Sequence, residues 1–414
     1  MNQKKTIDIV FVTILIEVIG FSMIIPILPF MFTDPNSPSY VLPAAMSKET
    51  GYLLLGILFS IYTFAQFFAN PVFGQYSDKF GRRPLLKGAI MGTGVSNVLF
   101  AVGILIGNLP LLFIARFFDG ITGGSIAIAQ SVVADISEPK DRAKNFGIAG
   151  AALGLGFMIG PFLGGLLSNS ELVPWFGPFF AFMVSAVFSF TNVFLLHKRL
   201  PETSPMDKSL DVKLFKSLGN ISEIIKTKAN RVLYGSSFIY SFAFTLFTSF
   251  LGVFLLKRLD YSETNIGLLF FYIGIVSIIS QTQLVPRIDK LYQQYKISIV
   301  SAFVLFAALG LLTFTTRTME LLVFVLFFAS ANELLRTGII TITSQSGSRK
   351  EQGKVLGFRA SADSLGQTIP ALIAGVLAGL YGYEFPIQVA TVIFGFLGLF
   401  MLILRKWLMS KKEN

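Results

Sequence analysis

The chain has 414 residues, of which 53% are hydrophobic and 14% charged, and its mean hydropathy is +0.69; a water-soluble protein of this length needs far more polar surface. Its net charge of +11 would suit nucleic acid, but the placement of the basic residues argues for no nucleic-acid partner. Zero cysteines exclude disulfides and thiolate metal sites, and one histidine, His197, leaves little for zinc or general-base chemistry.

Apolar runs of about 20 residues, enough to cross roughly 30 Å of hydrocarbon, recur along the chain. In order they predict twelve spans, at 7–31, 51–73, 84–105, 109–134, 142–167, 174–196, 232–256, 264–285, 297–316, 319–343, 353–380 and 385–404. The basic start Met1-Asn2-Gln3-Lys4-Lys5 enters the first run without a small-residue cleavage site, so the first helix is expected to be retained. That run carries Glu17-Val18-Ile19-Gly20 and then Pro26-Ile27-Leu28-Pro29; a polar outer loop, 33–50, follows with Pro35, Pro38 and Pro43. Between the second and third runs, Gly74-Gln75-Tyr76-Ser77-Asp78-Lys79-Phe80-Gly81-Arg82-Arg83-Pro84-Leu85-Leu86 reads as a tight turn, with one carboxylate beside three cations.

The fourth run holds Arg116-Phe117-Phe118-Asp119-Gly120 and ends near Asp135. The fifth holds Gly150, Gly154, Gly156 and Gly160-Pro161-Phe162-Leu163-Gly164-Gly165. Glycines four apart let helices approach closely, while Pro161 weakens the backbone ladder. A polar segment, 198–231, separates two sets of six spans, and within it 212–225 is predicted as an amphipathic surface helix. The seventh run is rich in phenylalanine (Phe238, Phe242, Phe244, Phe247, Phe250, Phe254), with Phe270 and Phe271 on the eighth; the tenth carries Glu333 and Arg336, and the eleventh Asp363.

Basic residues favour the cytoplasmic side. With both termini inside, Lys48, Lys257, Arg258 and Arg317 fall outside, Arg116 and Arg336 within the membrane, and the rest of the 34 on the cytoplasmic side. The excess therefore reads as a topology signal and an attraction to anionic membrane lipids. The expected organisation is a six-helix bundle at 1–197, a cytoplasmic linker at 198–231 and a second bundle at 232–414. Carriers built this way place their site near the bilayer midplane, between the repeats.

The loop from Gly74 to Leu86 resembles, position for position, the signature loop of the major facilitator superfamily. The resemblance implies an all-α membrane protein with twelve transmembrane helices in two pseudo-symmetric six-helix bundles. It also implies that Gly74, Asp78, Arg82, Arg83 and Asp135 form a gate latch between the halves. Arg116-Phe117-Phe118-Asp119-Gly120 looks like the family's intramembrane Arg pattern, associated with proton transfer, although an acid at 119 is less usual there. Gly160-Pro161 with its flanking glycines resembles the motif of exporters in that family. Glu17-x-x-Gly20 and Pro26-x-Leu28-Pro29 are similar to the tetracycline and multidrug antiporter branch, as is Glu333-x-x-Arg336. The likeness is most specific from Glu17 through Gly165. Around Arg287-Ile288-Asp289-Lys290 the signature is only a worn echo, and the seventh span lacks the acid some of those exporters carry.

A charge on a spanning helix costs about 2.5–3.5 kcal/mol on insertion scales, so each needs an explanation. Six stand out: Glu17, Arg116, Asp119, Glu333, Arg336 and Asp363. Glu17, Asp119 and Asp363 each lie ten residues inside a predicted span, roughly 15 Å deep. Arg116 with Asp119, and Glu333 with Arg336, are three apart and share a helix face; they either neutralise each other structurally or take part in transport. Glu17 and Asp363 read as having no opposite charge one turn away on their own helices. A lone carboxylate in low dielectric is poised to gain or lose a proton, which a coupling site requires. Glu17, Asp119, Arg116, Glu333 and Asp363 are therefore the proton-coupling candidates, with Glu17 first and a structural role for Asp363 the alternative. Glu17, Arg116, Asp119, Phe244, Phe247, Glu333 and Arg336 are the substrate-binding candidates, each phenylalanine having a packing or lipid-facing role as its alternative. Gly160 and Pro161 join the gating set.

The function expected is a proton-coupled antiporter in a bacterial cytoplasmic membrane, exporting small amphipathic or cationic molecules by alternating access. It is expected to act as a monomer, with the proton as coupling ion and neither metal nor other cofactor. The rival is a carrier of a specific metabolite, such as a sugar, siderophore, amino acid or lipid precursor. An enzyme is not expected, for no metal set, nucleophile–base pair or phosphate-binding loop is present.

Overall fold

The computed structural model describes residues 3–138, 141–204, 206, 228–344, 359 and 362–410. Among them the regular elements are all helical. Eleven helices are long and apolar enough to cross a membrane: Lys48–Phe80, Arg82–Leu105, Leu109–Ile136, Lys144–Ser168, Pro178–Arg199, Leu233–Leu259, Glu263–Leu291, Gln294–Leu312, Thr318–Thr343, Ala362–Tyr381 and Phe385–Ile403. These are the second to twelfth spans. The first is interrupted: Gln3–Ser22 opens into turns at 23–27 and resumes as Leu28–Thr33. Pro26 and Pro29 cannot donate to a helical ladder, and tighter bonds replace it, from Ile25 N–H to the Ser22 carbonyl and from Ile27 N–H to that of Ile24, both at 3.1 Å.

The turn predicted for 74–86 shrinks to one residue. The second span stays helical through Phe80, and the third begins at Arg82. Gly81 makes the reversal at φ +100°, a conformation that side chains with a Cβ rarely adopt. The apolar run ended at Phe73 because hydropathy marks the bilayer, whereas hydrogen bonding carries the helix on into polar surroundings. The predicted surface helix at 212–225, and 353–358 at the start of the eleventh span, lie outside the described residues.

Two compact units result, one within Met1–Ser47, Ile61–Leu214 and Tyr261–Gly274, the other within Lys48–Ser60, Phe215–Asp260 and Ile275–Asn414. In the first, Val10, Ile14 and Val18 pack with Leu86, Ile90, Ile128, Val132 and Ala152. Lipid is as apolar as these side chains, so close contact and interhelical hydrogen bonds must hold the spans together. The fifth span supplies the contact: a Cβ at Gly160 would lie 2.0 Å from Ser22 Oγ and 2.7 Å from the Ile19 carbonyl. Hydrogen bonds supply the rest. Thr13 Oγ1 donates to Asn192 Oδ1 at 3.1 Å, and Asn97 Nδ2 donates to Ser185 Oγ at 3.0 Å. Before the sixth span, Trp175 is 66% exposed and meets Phe176 and Phe180 edge-on at 4.8 Å. In the second unit the seventh span is packed with Phe247, Phe250 and Phe254, all buried.

Candidate functional site

Three of the predicted residues come together inside the first unit. Glu17, Arg116 and Asp119 are 6%, 4% and 7% exposed. Arg116 Nη1 donates to Asp119 Oδ2 at 2.8 Å, so their three-residue spacing does produce an ion pair. The guanidinium carbon of Arg116 also lies 4.2 Å from the Tyr62 ring centre and 5.4 Å from that of Phe21. Those rings pack on each other at 4.8 Å. Among the described residues no cation pairs with Glu17 in this way. Its Oε2 accepts from Ser125 Oγ at 2.8 Å, while Oε1 is buried and accepts no hydrogen bond among the described residues. Arg116 Nε is likewise buried without a partner there. An orphaned acceptor and an orphaned donor in one cluster are costly, and each is open to a further hydrogen-bond partner.

The fourth span makes this arrangement possible by breaking. It is helical over Leu109–Thr122 and again over Ser125–Ile136, with Gly123 and Gly124 between. Arg116 and Asp119 ride on the first piece and Ser125 on the second.

In the second unit Arg336 Nη2 donates to Glu333 Oε2 at 3.2 Å, again as the spacing predicts. Asp363 requires a correction, because it is not isolated. Arg359, one turn earlier, reaches its Oδ2 at 2.9 Å, while Ser237 and Ser241 donate to Oδ1 at 2.7 and 2.9 Å. These bonds link the seventh and eleventh spans. Phe247 is buried, its ring 4.6 Å from Phe328, and Phe244 stacks on Phe328 at 6.5 Å. Both make packing contacts within the unit.

Of the residues predicted to form a latch, Asp78 and Asp135 meet around the Arg82 guanidinium, all three within the first unit. Arg82 Nη2 lies 2.6 Å from Asp78 Oδ1, and Arg82 Nε donates to Asp135 Oδ2 at 3.0 Å. Its Nη1 bonds Ser77 Oγ, and Arg83 donates to the His197 carbonyl. Gly74 is helical, and a Cβ there would meet nothing within 4 Å. Glu202, which sequence reasoning left in the linker, completes the group. Its two oxygens accept the backbone N–H groups of Arg82 at 2.8 Å and Arg83 at 3.1 Å. An acid at a helix N-terminus satisfies orphan donors and complements the helix dipole. Pro161 and Gly160 sit where the fifth span meets both the first span and the start of the eighth, with the Pro161 carbonyl 2.6 Å from a Cβ built on Gly267.

Tyr62, Ser125, Glu202 and Arg359 were not singled out from the sequence. Only Arg359 carried a direct signal, its four-residue spacing from Asp363.

Helices long and apolar enough to cross a membrane, with charged side chains buried along them, mark a polytopic membrane protein. The chain belongs to the Major Facilitator Superfamily, whose family model matches residues 10–319 and 233–413. Its members are transporters rather than enzymes, and the twelve-span, all-α fold implied by the signature loop is theirs. The chain is similar to the class H tetracycline resistance protein of Pasteurella multocida, with 26% identity over 392 residues, covering 92% of this chain and 90% of that one. It is similar also to multidrug resistance protein 1 of Bacillus subtilis, with 25% identity over 403 residues and coverage of 95% and 94%. The crystal structure of the human organic anion transporter MFSD10 shares the fold, with a TM-score of 0.70 at 22% identity, covering 97% of this chain and 100% of that one.

Proposed function

We propose that this chain is a proton-coupled antiporter that exports small amphipathic or cationic compounds by alternating access across a bacterial inner membrane, both termini cytoplasmic. The observation that carries the proposal is Glu17: a buried carboxyl with one oxygen held by Ser125 and the other without a well-formed hydrogen bond among the described residues. Such an acid switches between a neutral and a charged form, and only the charged form attracts a cationic cargo. Proton and cargo then exclude each other at one carboxyl, so an inward proton gradient drives cargo outward. Tyr62 and Phe21, which now pack on each other and on Arg116, would present aromatic faces to an amphipathic cargo that displaced the guanidinium. Arg116 and Asp119 set the local field, and the Glu333–Arg336 pair contributes in the second unit. Similarity to a tetracycline resistance protein and a multidrug resistance protein supports cargo of drug-like character.

The test uses the full chain in proteoliposomes with a pH-sensitive dye inside. Adding tetraphenylphosphonium, ethidium or tetracycline should dissipate an imposed pH gradient, and Glu17→Gln should abolish that response. Silence toward all three probes, or undiminished coupling in Glu17→Gln, refutes the proposal.

A further inference from the structure

We infer that Gln66 is a positioning residue for the Glu17 cluster: its amide clasps the break in the fourth span and keeps the Arg116–Asp119 piece and the Ser125 piece in register. This deepens the reading of Glu17 as the exchanging acid, and it starts from a backbone group. Gly123 N–H still bonds the Asp119 carbonyl at 2.8 Å, and the ladder resumes with Ile128 N–H to the Gly124 carbonyl at 3.3 Å. No backbone N–H of the described residues reaches the Gly123 carbonyl. Within a bilayer a carbonyl freed in this way needs another donor. Gln66 Nε2 is that donor, at 3.1 Å.

The same nitrogen lies 3.3 Å from Tyr62 Oη, one turn earlier on the second span. A carboxamide carries two N–H groups and serves both acceptors. Tyr62 in turn presents its ring to the Arg116 guanidinium. The second and fourth spans are too close here for any side chain: a Cβ at Gly120 would lie 2.4 Å from the Tyr62 carbonyl, and one at Gly123 would lie 2.8 Å from Tyr62 Oη and 2.9 Å from Gln66 Nε2. Two residues past the break's first glycine, Ser125 holds Glu17. The cation, its acid and the exchanging carboxyl thus hang on opposite sides of a discontinuity that one amide bridges.

Gln66→Leu removes both donors. Gln66→Glu keeps the size but, when ionised, turns an acceptor toward the Gly123 carbonyl; when protonated it donates again. The experiment measures how fast dicyclohexylcarbodiimide modifies Glu17 in the full chain in lipid nanodiscs, read by peptide mass spectrometry and expressed relative to the parent protein at each pH. With the clasp lost, Gln66→Leu should react about fivefold faster than the parent, the effect of one lost hydrogen bond. Gln66→Glu should match Gln66→Leu at about pH 9 and return towards the parent rate below about pH 4, where its own carboxyl is protonated. A pure space-filling role predicts a pH-independent ratio for Gln66→Glu, and that result overturns the inference, as does parental reactivity in Gln66→Leu. Should Gln66→Leu not fold, the Gln66→Glu ratio across pH decides alone. Failure of cargo-driven proton movement in the parent protein would strike the antiporter proposal and leave this labelling result standing.

Discussion

Gly160→Ala is the substitution whose consequence the structure fixes most fully. Its methyl would sit 2.0 Å from Ser22 Oγ, 2.7 Å from the Ile19 carbonyl and 3.1 Å from Ile19 Cα. Ser22 can turn away only by giving up the acceptors within reach of its single O–H, the Val18 carbonyl at 2.6 Å and that of Gly156 at 3.1 Å. The first and fifth spans must therefore part by about 1 Å, at an overpacking cost of about 1–3 kcal/mol. Losing the interhelical hydrogen bond adds about 0.6 kcal/mol. The unfolding midpoint of the detergent-solubilised protein should fall by several degrees, and probe-driven proton movement should fall with it. Adding Ser22→Gly removes the worst clash but leaves the one with the Ile19 carbonyl, so the double variant should recover part of the loss. A parental midpoint in Gly160→Ala, or no recovery in the double variant, would refute the packing argument.

Arg359→Gln strips Asp363 of its counter-charge and should cost about 3–5 kcal/mol, seen as a collapsed yield of monodisperse protein; Asp363→Asn added to it should restore the yield. Arg116→Lys keeps the charge but loses the planar stack on Tyr62 and Phe21, worth about 1–2 kcal/mol in a desolvated site. The unfolding midpoint should then fall by a few degrees, and cargo-driven proton flux should fall with it. Glu202→Ala should free the Arg82 and Arg83 N–H groups at a cost of about 1 kcal/mol, measured as faster hydrogen exchange over the first turn of the third span, whereas Glu202→Gln should lose less because it still accepts.

Spacing was informative wherever partners share a helix. Arg116 with Asp119 and Glu333 with Arg336 followed from the three-residue rule, and Asp363 with Arg359 obeys the four-residue one. Arg359 escaped because it was counted with the cytoplasmic end of its span, which left its acid apparently alone. Bonds between helices left no such trace: Ser125 reaches Glu17 across 108 positions, and Glu202 reaches Arg82 across 120. The two prolines near the end of the first span signalled trouble for a continuous helix. The fourth-span break was hidden, since two glycines inside an apolar run read equally well as a packing face. Hydropathy likewise stopped the second span at Phe73, where its helix runs on to Phe80.

The aromatic group ahead of the sixth span has an optical consequence. Trp175 is one of two indoles in the chain, the other being Trp407. Asn192, which braces the Glu17-bearing span through Thr13, stands fourteen residues along the sixth helix from its start at Pro178, roughly 20 Å at 1.5 Å per residue. With Trp407→Phe in place, the remaining emitter would report on the lipid rim, where brominated acyl chains quench it, and stay dark to events at the acid.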